Sequence, residues 1–286
     1  MTERSERGER SEGMTRLSPG GVGGRPPQGE GMTERSDALV VDGLAKRFGG
    51  LSVLGSVALT VPSGTIFGIA GPNGAGKTTL LNIISGLLPA DGGSIRLFGE
   101  PCHHLNATAL ARLGIARTFQ NIRLLRGLTV VEQVMAGAYR NRRVGSVRGL
   151  AGTPGARAEL RDVRERALAC LGSVGLRGTA DRLAETLPYG DQRRLEIARA
   201  LVSRPRLLLL DEPTAGMNAA DWTGIGELVS GLRGDGTTVV VVEHNMRMIE
   251  TVCDQVAVLA SGEVIACDEP VRCLRRPDVR RAYFGK

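Results

Sequence analysis

Gly71-Pro72-Asn73-Gly74-Ala75-Gly76-Lys77-Thr78-Thr79 lies between two contrasting segments. Before it, Ile66 to Ala70 is wholly apolar or small and reads as a short buried strand. After it, Leu80 to Leu87 carries a helical pattern. Strand, glycine-rich loop and helix, in that order, give G-x-x-x-x-G-K-[ST] the context of a phosphate cradle. Gly71, Gly74 and Gly76 let the backbone turn its N–H groups inward, where a Cβ would block the approach. The following helix adds its positive end beneath the phosphates. Lys77 supplies a compact ammonium for the β and γ phosphates, expected at the surface, and the Thr78 hydroxyl is placed for Mg²⁺. Only three of the 37 Lys plus Arg are lysines, Lys46, Lys77 and Lys286. A composition so poor in lysine still places one in this loop, where a point charge suits better than a planar guanidinium.

The chain has 286 residues, of which 42% are hydrophobic, enough for one large or two small domains with a sizeable core. Aromatics are 3%, which argues against a base-stacking nucleic-acid surface. The net charge of +7 permits an anionic partner and equally describes a solvated, arginine-rich surface. Cys102, Cys170, Cys253, Cys267 and Cys273 form no C-x-x-C pair, and they read as reduced thiols of a cytosolic protein. Cys102-His103-His104 reads as a solvent turn, with metal binding as the alternative. No apolar run approaches a membrane span, so a membrane role is expected to be peripheral.

Residues 1–31 are rich in Gly, Arg, Ser, Glu and Pro and are expected to be disordered. Met-Thr-Glu-Arg-Ser stands at 1–5 and again at 32–36. The repeat fits an upstream extension before a natural start at Met32, and fits a genuine flexible tail as well. Ala38 to Val61 reads as an antiparallel β layer with turns at Gly49-Gly50 and Pro62-Ser63-Gly64. Within it, Phe48 is either an aromatic for adenine or an ordinary core residue. Ser94–Phe98 and Ile115–Phe119 read as further strands.

The texture turns helical from about 121 to 186. Thr129-Val130-Val131-Glu132 is a capping box opening a helix to Tyr139. Leu160, Val163, Ala167, Leu168, Leu171 and Val174 share one helical face. Arg140 to Arg157 carries five arginines and no acid, and reads as a mobile loop, solvated or facing anionic groups. From Arg206 an α/β texture returns. Leu207 to Leu210 runs into Asp211-Glu212-Pro213, and Thr238 to Val242 into Glu243-His244. Wholly apolar strands separated by a helix over Ile225 to Leu232 indicate a parallel sheet, whose ligands sit at the carboxyl ends.

Those ends carry the residues that phosphoryl chemistry needs. Asp211 fits the carboxylate on the Mg²⁺ side. Glu212 can accept a proton from an attacking water, and His244 can bond the γ-phosphate. Each alone could be a cap, a surface acid or a core histidine. Their order behind a phosphate loop argues for ATP hydrolysis.

With these motifs in place, residues 38–286 resemble an ABC transporter ATP-binding subunit. Gly71 to Thr78 resembles that family's Walker A, and Leu207 to Asp211 its Walker B with Glu212 as general base. Gln120 resembles the Q-loop glutamine that touches metal and water and senses the permease. His244 resembles the switch histidine and Phe48 the aromatic that stacks on adenine. Leu187-Pro188-Tyr189-Gly190-Asp191-Gln192 falls where the family has its signature, with its helix beginning near Asp191.

Three departures stand out. Pro188 replaces the signature serine, Tyr189 the next glycine, and Asn218 the usual D-loop aspartate. Pro188 and Tyr189, with Asn121-Ile122-Arg123-Leu124 and the ending Pro277 to Tyr283, resemble the branched-chain amino acid importer ATPases. The resemblance implies an α/β P-loop cassette with an antiparallel β layer and an inserted helical subdomain. It implies ATP and Mg²⁺ as cofactors and a peripheral place on the cytoplasmic side of the membrane. The partners implied are permease subunits, a second and different ATPase subunit or a second copy of this chain, and, indirectly, an extracytoplasmic binding protein; nucleic acid is not among them. A urea, amide or lipopolysaccharide system stands as an alternative. So does a soluble ATPase acting on nucleic acid or ribosomes, whose usual second cassette and zinc cysteines are missing from this sequence.

Overall fold

The computed structural model describes residues 36–138 and 154–284. The expectations for 1–31, for a start at Met32, for Tyr139 and for most of the arginine-rich segment lie outside those residues. Its end is described: Pro154 to Arg157 open a helix and are not loop.

The antiparallel layer forms as the alternation predicts. β1 (Asp37–Phe48) and β2 (Leu51–Pro62) make a long hairpin around Gly49-Gly50. β4 (Gly92–Leu97) pairs with β1, and the short β5 (Glu100–Pro101) follows it, giving the order β2-β1-β4-β5.

The second sheet holds the chemistry. β3 (Ile66–Ala70), β7 (Leu207–Asp211) and β8 (Thr238–Val242) are buried at every position. They join β6 (Ile115–Arg117), β9 (Gln255–Ala260) and β10 (Glu263–Asp268) in the order β10-β9-β3-β8-β7-β6. All pairings are parallel except β9 with β10. Burial on both faces is why these strands read as continuous apolar runs. Alternate residues serve two cores. Phe67, Ile69, Leu207, Leu209, Val240 and Val242 face β1, β2, β4 and the helix α1 (Lys77–Ile84). Ile66, Leu208, Leu210, Val239 and Val241 pack with Ile225, Val229, Met248 and Ile249. Those come from α6 (Ala219–Gly231) and α7 (Met246–Val252). The terminal helices α8 (Pro270–Arg275) and α9 (Pro277–Phe284) add Cys273 and Val279 to the same core.

A third core is helical. α3 (Val130–Gly137) is opened by the predicted capping box: Thr129 accepts from the Glu132 N–H and Glu132 from the Thr129 N–H. α4 (Pro154–Ser173) supplies Val163, Ala167 and Leu171. Leu160 shares their face but is 52% exposed. α5 (Tyr189–Leu201) adds Leu195 and Ala198, so this core continues past residue 186.

β3, β6, β7 and β8 end on the same edge of the sheet, since they run parallel. That edge therefore carries the phosphate loop, Thr118 to Gln120, Asp211-Glu212 and Glu243-His244. Leu209, in the middle of β7 and fully buried, measures how tightly this platform is packed. Leu209→Ala should cost about 2–5 kcal/mol, read as a lower urea midpoint. An unmoved midpoint would mean that this face of the sheet is not close-packed.

Candidate functional site

The phosphate loop leaves β3 at Gly71 and returns as α1, whose N-cap is Gly76. Two of its glycines are forced by their neighbours. Gly71 has φ +150° and Gly76 φ +102°. A Cβ on Gly71 would stand 2.1 Å from the Leu259 carbonyl oxygen. One on Gly76 would stand 2.6 Å from the Leu54 side chain and 2.9 Å from the Val53 carbonyl. The protein's own strands β9 and β2 exclude side chains there. Gly74, φ +80°, has open space and needs glycine for its backbone alone.

Lys77 is buried, 6% exposed, contrary to the surface ammonium expected from sequence. Its Nζ donates to the carbonyls of Gly71 (2.7 Å) and Pro72 (3.0 Å), so it closes its own loop. Burial lowers its pKa below the ordinary lysine value, and the carboxylates of Glu212 and Asp211 oppose that shift. Asn73 through Thr79 line a cavity of about 420 Å³ with Val53, Gln120 and Glu212.

Asp211 and Glu212 diverge at the end of β7. Asp211 is 2% exposed, and its Oδ2 is 2.9 Å from the Arg117 guanidinium. Arg117 also donates to Asn82 Oδ1 and Ser85 Oγ on and beside α1, both at 2.8 Å. Asp211 Oδ1 is buried without a hydrogen-bond partner. Glu212 adopts φ +46°, the left-handed region that bulky L residues avoid. This turns its side chain into the cavity, where Oε2 accepts from Gln120 Nε2 at 2.9 Å.

His244 is placed at the same edge and is largely exposed; its Nδ1 lies 3.9 Å from Glu212 Oε2. The residue before it was not singled out in the sequence. Glu243 is fully buried and accepts four hydrogen bonds. Thr214 gives N–H (2.9 Å) and Oγ1–H (2.6 Å) to its Oε1, while the His244 and Asn245 amides reach Oε2. It fastens the segment after β7 to the segment after β8. An acid interrupting an all-apolar strand end was the available signal. Arg117, at the end of the otherwise apolar β6, gave the same kind of signal.

Two predicted elements lie apart from the phosphate loop. Phe48 sits at the tip of the β1–β2 hairpin, 49% exposed, with Lys46 Nζ 5.6 Å from its ring centre. It is not among the residues lining the cavity. In the signature, Leu187 is buried in the helical core, and α5 starts at Tyr189, two residues earlier than expected, with Pro188 as its N-cap. Pro188, Tyr189, Gly190 and Asp191 line a different cavity of about 510 Å³ with Arg194, Gly216 and Asn218. Gln192 donates back to the Leu187 carbonyl at 2.9 Å. Within one chain, signature and phosphate loop therefore do not share a cavity.

Residues 54–215 match the family model described as ABC transporter. Over 249 residues the chain is 41% identical to BraF of Pseudomonas aeruginosa, a high-affinity branched-chain amino acid transport ATP-binding protein. That alignment covers 87% of this chain and 98% of BraF. LivG of Salmonella typhimurium, with the same description, is 39% identical with the same coverage. The lipopolysaccharide export system ATP-binding protein LptB of Escherichia coli is 34% identical over 87% of this chain and 97% of its own length. Among solved structures, a nucleotide-free ATP-binding cassette from an ABC transporter has a TM-score of 0.76 at 30% identity, covering 87% of this chain and all of that one. A dimeric cassette in a post-hydrolysis state, bound to ADP and Pi, has a TM-score of 0.69 at 28% identity, covering 81% and 98%.

The Arg117–Asp211 pair is buried on both sides. Removing one partner of such a pair strands the other charge. Arg117→Met should lower stability by about 3–5 kcal/mol, measured by chemical denaturation. Arg117→Met combined with Asp211→Leu should recover most of that loss. Equal losses in the single and double variants would mean that the cost is one of packing, not of an uncompensated charge.

Proposed function

The chain belongs to the ABC transporter family and is an ATP-binding, ATP-hydrolysing transporter subunit; from that premise we propose that its transporter imports branched-chain or related amino acids. The observation that carries the solute is the identity of 41% to BraF over nearly its whole length, against 34% to LptB.

We assign the site as follows. The amides of Gly71 to Thr79 and the Lys77 ammonium hold the β and γ phosphates, with Phe48 against the adenine. Lys77 leaves its two loop carbonyls to do so, and its burial makes it a strong partner for phosphate. Mg²⁺ fits beside Thr78, Gln120 and Asp211, because the buried Asp211 Oδ1 lacks a partner while Arg117 occupies the other oxygen. Bound there, the ion would supply positive charge to offset the negative charge developing on the transferred phosphoryl group. Glu212 takes the proton from the attacking water, with Gln120 orienting its carboxylate. His244, whose Nδ1 lies 3.9 Å from Glu212 Oε2, donates to the γ-phosphate.

Separation of the signature from the chain's own phosphate loop supports action in trans, on ATP held by a second cassette. The dimeric assembly among the similar structures is consistent with that arrangement. We take the second cassette to be a different subunit. Pro188 brings no N–H and Asp191 adds negative charge at the α5 N-terminus, so this signature makes the weaker of two contacts. A groove of about 510 Å³ lined by Leu87, Leu110, Phe119, Arg123 and Leu125 is the proposed permease contact, because the Gln120 loop borders both it and the ATP site. Among the described residues no helix is long and apolar enough to cross a membrane. The subunit then sits against the permease at the cytoplasmic face.

Glu212→Gln should retain ATP binding and slow single-turnover hydrolysis by roughly 10²–10⁴-fold. Undiminished product formation would place the base elsewhere. The solute is tested by uptake of labelled leucine, isoleucine and valine into cells carrying the intact transporter, wild type or Lys77→Ala. Uptake should fall to background in the variant. Unchanged uptake of these amino acids, with loss of urea uptake or lipopolysaccharide export instead, would overturn the solute assignment.

A further inference from the structure

Tyr189 stands where the family's signature carries a glycine, and its side chain is engaged at both faces of its hydroxyl. The hydroxyl donates to the Ala215 carbonyl (3.1 Å) and accepts from Arg193 Nη2 (3.1 Å). Arg193, one turn further along α5, is 3% exposed. Its Nη1 donates to the Phe119 carbonyl at 2.9 Å, and its Nη2 also reaches the Gln120 carbonyl. The side chain of Gln120 bonds Glu212, and the Ala215 amide bonds the Glu212 carbonyl at 3.1 Å. The bonds close a circuit: Glu212, Gln120, Arg193, Tyr189, Ala215 and back to Glu212. A glycine at 189 could not complete it.

We propose that Tyr189 and Arg193 are positioning residues that lock the Gln120 loop, the signature turn and the segment 214–218 into one body around Glu212. Neither lines the cavity of the chain's own phosphate loop. Arg193 satisfies two carbonyls of the Gln120 loop and orients the phenol, and the phenol holds the segment that follows Glu212. Only Arg193 in this circuit is buried, while Tyr189 is 45% exposed and Gln120 is exposed, so the coupling passes through the arginine, and losing it leaves both segments it bonds with fewer partners. A displacement of the Gln120 loop thereby moves the signature turn and residues 214–218 of the same chain.

The proposal rests on the roles assigned to Gln120 and Glu212, but its test does not. Amide hydrogen exchange is measured on the full-length, nucleotide-free chain as wild type, Tyr189→Phe, Arg193→Gln and the double variant. Tyr189→Phe removes both hydrogen bonds of the hydroxyl and should speed exchange in 214–218 by roughly 2- to 10-fold. Arg193→Gln should speed both 119–123 and 214–218, and β3 should exchange at the wild-type rate in all four proteins. The double variant should exchange in 214–218 by less than the product of the single effects, because the two residues act in series. In ATP hydrolysis Tyr189→Phe should lower kcat with KM for ATP unchanged. Wild-type exchange of 214–218 in Arg193→Gln, or multiplicative effects in the double variant, would overturn the latch. A Glu212→Gln protein that still turns over ATP would overturn the base assignment and leave the exchange result standing.

Discussion

A carboxylate at the end of a strand buried on both faces needs a countercharge, and Arg117 provides it. Asp211 is 2% exposed, at the end of a strand buried throughout. Arg117 lies on the neighbouring strand β6 and also holds Asn82 and Ser85, so one guanidinium ties α1 to two strands. The helix that follows the phosphate loop, the Asp211 carboxylate and the start of the Gln120 loop are therefore parts of one polar cluster. Arginine suits this position because its fork addresses three acceptors at once, which a lysine could not do in a fixed plane.

The same economy recurs at the other strand ends. Glu243 is buried with four donors, two from Thr214 and two from the turn that carries His244. Arg193 and Arg199 flank the buried Glu196, whose pKa burial raises while both arginines oppose the shift. Each cluster joins segments far apart in sequence, and each lies at or next to the edge where the strands end. The apolar cores position the sheet; these ionic clusters position the loops on it.

What was legible in the sequence follows from that division. The phosphate-loop pattern and the strand-end placement of Asp211, Glu212 and His244 could be read because each sits beside a recognisable strand, whereas Gln120 was marked by the family resemblance. The capping box at Thr129 was legible for the same reason. The partners were not. Arg117 meets Asp211 across 94 residues and Arg193 meets Phe119 across 74, distances over which periodicity carries no information. Lys77 was expected at the surface because a loop lysine usually is; instead its Nζ folds back onto the Gly71 and Pro72 carbonyls of its own loop. Leu160 illustrates a different limit. Its spacing on α4 is correct, but spacing tells which face points inward, not how far the covering partner extends.

The backbone of Glu212 has a consequence for how this chain would age without its task. A glutamate at φ +46° is held in a conformation that glycine or asparagine adopts at lower cost. The fold would be more comfortable with either. Under the proposed role of Glu212 as base, a gene copy released from transport would be free to drift toward those residues, gaining stability and losing turnover. Phe98, Arg204 and Ser261 also have positive φ among the described residues, but of the four only Glu212 lines the phosphate-loop cavity.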